Sequence, residues 1–91
     1  GVAGALSSGS AINYAVYAAK GTGTGGAQVI ASCDDAKKTL QGGAYPTGGG
    51  TYSATGTFSA TAGTVNTCEL KLTPTSGAAV TASFTAITAS P

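Results

Sequence analysis

Apolar residues recur every three or four positions at the start of the chain: Val2, Leu6, Ile12, Val16 and Ala19, with Gly9 in the same series. That spacing marks one face of an α-helix. Ser7, Ser10, Tyr14 and Tyr17 fall elsewhere on the cylinder. Lys20 and Gly21 close the segment, a cation in the last turn followed by a glycine cap. The pattern predicts a helix over 1–20 whose Val2, Leu6, Ile12 and Val16 pack on the rest of the fold. Its end is well specified, but no Ser, Thr, Asp or Asn cap opens it, and the apolar series is already running at Val2.

A different pattern follows. Residues 21–31, GTGTGGAQVIA, are glycine-rich with one short apolar run, and they read as a flexible loop. They lack the G-x-x-x-x-G-K-[ST] arrangement that would cradle phosphate. In SCDDAKKTLQGG, Ser32 and Asp35 stand as a capping box, Lys37 and Lys38 lie toward the far end, and Gly42-Gly43 stop the segment. A short helix of two to three turns is predicted there, with Cys33, Ala36 and Leu40 on its inner face.

Beyond YPTGGG the period changes to two. In TYSATGTFSA (51–60), Tyr52, Ala54, Gly56, Phe58 and Ala60 alternate with Thr and Ser. In VNTCELKLT (65–73), Cys68, Leu70 and Leu72 alternate with Thr67, Glu69 and Lys71. In AAVTASFTAIT (78–88), Val80, Ala82 and Phe84 continue the alternation until Ile87 breaks it, which predicts a bulge or a change of face. One sheet face is then Thr and Ser, and the other needs a cover that only the long helix is large enough to supply. The expectation is one α+β domain over 1–91. It has a long N-terminal helix (1–20), a glycine-rich loop with a short helix (21–50), and a three- or four-stranded antiparallel meander (51–91).

Composition narrows what such a domain does. Only 8% of the 91 residues are charged, against about a quarter in an ordinary soluble domain, while 15 are glycine and none is His. The net charge of +1 gives no electrostatic case for nucleic acid or a membrane surface. A surface of Ser, Thr, Gly and Ala costs little to bury against another copy of itself, which points to a subunit of an assembly.

Enzymatic chemistry has little to work with. There is no His or Arg, the acids are Asp34, Asp35 and Glu69, and no serine has an evident base. The expectation is no catalysis, no cofactor and no metal. Asp34 and Asp35 read as acids suited to a helix start rather than as calcium ligands. Two cysteines, Cys33 and Cys68, in a small chain favour a disulfide and an oxidising compartment, with two buried free thiols as the alternative.

The wording GVAGALSSGSAINYA resembles the middle of the long first helix of bacterial type IV pilins. The order that follows is also similar to that family: a glycine-rich loop, a cysteine opening a short helix in ASCDDAKKTLQGG, and a meander with its second cysteine in TCELKLTP. The resemblance covers essentially the whole chain. It implies a Cys33–Cys68 bridge and the Val2-to-Ala19 face as a spine on the sheet. An apolar segment led by a methylated Phe would precede Gly1, anchoring the subunit in the inner membrane and later packing in a helical filament with other pilin subunits.

The resemblance further implies passage through the periplasm to an extracellular pilus, with a leader peptidase and an assembly ATPase as partners, and a role in adhesion or motility. A pseudopilin of a type II secretion system and a ligand-binding minor pilin are the alternatives. Tyr14 and Tyr17, placed off the core-facing stripe, are then candidates for a subunit interface.

Overall fold

A computed structural model describes all residues, 1–91. The chain forms helix α1 (Val2–Lys20), a 3-10 helix (Asp34–Thr39), a 3-10 turn (Gln41–Gly43), and strands β1 (Gly50–Thr55), β2 (Val65–Pro74) and β3 (Val80–Ile87). The strands make one antiparallel sheet in the order β1-β2-β3. The architecture is the expected α+β arrangement of a helix on a three-stranded meander. A fourth strand does not form; a single antiparallel bridge, Ile30 with Ala89, takes its place.

Helix α1 ends where Gly21 (φ 70°) turns the chain and returns its N–H to Tyr17 O at 2.8 Å. At the other end no side chain caps it and no acid lies in the first turn. The short helix read from the sequence is a 3-10 helix of six residues. Three residues per turn bring i and i+3 into line. Lys37 Nζ thus reaches Asp34 Oδ2 at 2.9 Å, and Lys38 Nζ lies 3.6 Å from Asp35 Oδ1. Ser32 Oγ accepts from Asp35 N–H at 3.2 Å, as a capping box requires. The return bond is displaced by one residue, with Ala31 N–H donating to Asp35 Oδ2 at 2.9 Å.

Strand β1 stops at Thr55 instead of running to residue 60. The next position on β2 is Cys68, bridged to Cys33 with a Cα–Cα distance of 5.8 Å. A Cβ at Gly56 (φ 145°) would lie 3.1 Å from Cys33 Sγ and 3.1 Å from Thr67 O, so the disulfide and the β2 backbone leave room at this position only for glycine. The chain leaves the sheet there and Phe58 packs on the core from a loop. Ile87 brings no bulge, for it pairs in register with Val65.

The core is small: Leu6, Cys33, Ala36, Cys68, Leu70, Phe84 and Ala86 form one buried cluster, with Val2, Leu40, Tyr45 and Tyr52 packed around it. Ala27, Ile30, Thr88 and Ala89 are buried around the Ile30–Ala89 bridge. The second half of the 21–31 segment is therefore fixed structure, contrary to the flexible loop read from its glycines. Its apolar run supplies Ile30, which is 0% exposed.

Candidate functional site

The two sides of α1 carry the main departure from the sequence reading. Its buried positions are Leu6, Ser10 and Asn13, with Ala3, Tyr14 and Tyr17 half-buried beside them. The predicted stripe of Val2, Leu6, Ile12 and Val16 holds only in its first turns. Val2 and Leu6 pack on the core, but Ile12 is 67% exposed. Val16, half-buried, lines with Ile12 a shallow groove against Gly26, Ala27 and Thr39, away from the sheet.

The physical reason is that α1 packs mainly along the edge strand β3 and on the 3-10 helix. An edge strand presents unpaired N–H groups, which call for acceptors rather than hydrocarbon. Ser10 Oγ accepts from Ile87 N–H at 2.7 Å and Ser7 Oγ from Thr85 N–H at 3.0 Å. Asn13 similarly clamps the 27–31 segment, its Oδ1 accepting from Gln28 N–H at 2.8 Å and its Nδ2 donating to Gln28 O at 3.1 Å.

Tyr14 and Tyr17, read as lying off the core-facing stripe, turn toward the domain's own far end. Their rings stack at a centroid distance of 5.7 Å. The Tyr17 hydroxyl is 3.3 Å from Ser90 Oγ, and the Tyr14 hydroxyl fills the space beside Gly63. Spacing could have found this face: Ala3, Leu6, Ser10, Asn13 and Tyr17 also recur every three or four positions.

The outward face of α1 is built from Gly4, Ala5, Ser8, Ala11, Ile12 and Ala15, and no charged side chain appears on the helix before Lys20. Small side chains let another backbone approach closely. The absence of charge removes the usual obstacle to burying such a face.

A second cluster surrounds Tyr45. Its hydroxyl donates to Asp34 Oδ1 at 2.9 Å, its ring stacks on Tyr52 at 5.6 Å, and Lys37 Nζ lies 5.7 Å from its centroid. Partial burial pushes Asp34 up, but the hydrogen bonds from Lys37 and Tyr45 outweigh it and hold the carboxyl below its usual 3.8. Burial and then the Asp34 carboxylate raise the Tyr45 phenol well above its ordinary 10.

A phenol raised in the folded state contributes stability that is fully present below 10 and lost as pH rises through the folded value. Tyr45→Phe is therefore expected to cost at most ~1 kcal/mol at neutral pH, since the site is partly solvated. It should also flatten the alkaline fall in stability, which thermal melts across that range would measure. With Tyr52 packed on its ring and Lys37 close over it, Tyr45 is a structural post between the 3-10 helix and β1. An open cleft of about 610 Å³ lies beside it, between the first turn of α1 and residues 40–47.

No three His, Cys, Asp or Glu side chains come together as a metal-binding group, and no helix is long and apolar enough to cross a membrane. No protein-family model, curated protein or solved structure matches this chain.

Proposed function

We propose that the protein is a structural subunit of a bacterial surface filament of the type IV pilus kind, built by packing many copies of itself. The observation that carries this reading is the outward face of α1: uncharged, built from small residues, and bearing Ile12 at 67% exposure. The resemblance of GVAGALSSGSAINYA to a pilin first helix, and the disulfide joining the short helix to the sheet, support it further. In this reading the Thr- and Ser-rich face of the sheet meets the surroundings, and the partners are other subunits and the assembly machinery. Residues preceding Gly1 anchor the subunit in the inner membrane before assembly. The domain's job is mechanical, and it binds no cofactor.

The test compares material sheared from producing cells with and without Ile12→Lys. The unaltered protein should appear as filaments whose subunit begins with a Phe-led apolar segment joined to Gly1, carrying a methyl-sized mass excess. Ile12→Lys should abolish the filaments, yet change the stability of the isolated domain by no more than about 0.5 kcal/mol, as for an exposed substitution. A sheared fraction that lacks this protein, or filaments unaffected by the lysine, would overturn the reading.

A further inference from the structure

The edge of β3 is protected along only half its length. Thr85 and Ile87 turn their N–H groups away from β2, toward Ser7 and Ser10 of α1. Backbone direction alternates with period two along β3, so Thr81 and Ser83 turn theirs the same way. No hydrogen bond from α1 or any loop reaches these amides. One helical turn before Ser7 the side chains are Ala3 and Gly4, which have nothing to accept with.

The unprotected stretch is exposed throughout residues 77–83, and Val80 on its inner side is 58% exposed. Beside it lies an apolar cleft of about 350 Å³ lined by Val2, Tyr52, Leu72 and Val80. Edge strands are ordinarily kept from pairing by a charge, a proline or a bulge. Residues 75–90 contain no charge and no proline, and the β2–β3 register runs without a bulge.

We propose that residues 79–83 form a strand-pairing edge for a second copy of this chain, the same segment of each copy lying antiparallel about a two-fold axis. The two three-stranded sheets then join into one of six strands. Self-pairing is what this segment suits. A two-fold axis sets each outward N–H of one copy against an outward C=O of the other. The facing side chains are Ala, Val, Thr and Ser, small enough to approach, and no like charges meet. Val80 and Ala82 of each copy extend the apolar inner face across the junction. The pairing runs through β3 and not through Ile12, and it does not depend on the filament reading, so its failure leaves that reading standing.

Sedimentation of the 91-residue chain from micromolar to millimolar concentration tests it, together with amide exchange at single residues. The expected result is a doubling of the sedimenting mass, with the Thr81 and Ser83 amides slowing as concentration rises. Thr81→Pro removes one outward donor without touching the β2 ladder, and Ser83→Lys puts on the pairing edge the kind of charge by which edge strands resist pairing. Both should lose the doubling while keeping the disulfide and the circular dichroism of the parent. If Thr81→Pro fails to fold, Ser83→Lys decides. A chain that stays monomeric throughout, a dimer whose Thr81 and Ser83 amides exchange freely, or undiminished pairing in Ser83→Lys would overturn the proposal.

Discussion

Replacing Cys33 and Cys68 together by serine should lower stability by about 3–4 kcal/mol, the chain-entropy value for a loop of this length. The bridge spans 35 residues and ties the 3-10 helix to the central strand, both cysteines being 2% exposed. Only 14 of the 91 residues are buried, so little else holds those parts together. A domain this size has on the order of 5–14 kcal/mol in all, so the loss would be about a fifth of it or more. The midpoint of thermal unfolding should fall by roughly 15–25 °C.

The damage should also be directional. Helix α1 rests on both β3 and the 3-10 helix, so freeing the 3-10 helix removes one of its two supports. Amide exchange should quicken first in residues 34–40, and the β2–β3 ladder should keep its protection longest. A fall of only a few degrees would mean that the unfolded chain is already compact around this loop, leaving the bridge little entropy to remove.

The second large effect is expected at Asn66, which is 6% exposed on the inner face of β2. Its Oδ1 accepts from Ser59 N–H at 2.9 Å, and its Nδ2 donates to Ala86 O at 2.9 Å, Thr88 Oγ1 at 3.0 Å and Thr64 O at 3.1 Å. Thr88 Oγ1 in turn donates to Ser59 O at 2.7 Å. One side chain thus holds the 56–64 loop against the end of the sheet. Asn66→Ala should cost about 2–4 kcal/mol, because buried groups left unpaired lose far more than a typical hydrogen bond contributes.

Asn66→Asp sharpens the test. An ionised carboxylate has no N–H for Ala86 O or Thr88 Oγ1, so this variant should be the less stable one at neutral pH. Burial beside carbonyl oxygens raises the pKa of the introduced acid, and a raised pKa gives stability on the acid side. The variant should therefore recover part of its loss as pH falls and the carboxyl regains a proton. Urea titrations at neutral and mildly acid pH would show this. An Asn66→Ala variant within 1 kcal/mol of the parent would mean that water satisfies these groups unaided.

Much of the fold was legible in the chain because each element is specified locally. A three-to-four period followed by Lys20-Gly21 defines α1 and its end, and alternation around Cys68, Leu70 and Leu72 defines β2 and its buried face. Glycine and proline punctuation separated the strands, and two cysteines in a small chain led to one bridge. Segment existence and the inner face of a strand depend on neighbours only a few residues away, which is the information a sequence holds directly.

What the tertiary structure decided was which side of α1 faces inward, and where β1 ends. A helix of Ala, Gly and Ser with scattered larger residues has weak amphipathicity, so its apolar stripe exerts little torque on its orientation. Hydrogen bonding decided instead. The free amides of Thr85 and Ile87 drew Ser7 and Ser10 inward and left Ile12 outside. These partners lie 78 and 77 residues apart in the chain, so no window of sequence contains both. At Gly56, where the chain leaves β1, the sulfur that leaves room only for glycine belongs to Cys33, far back along the chain, and only the folded arrangement brings them together.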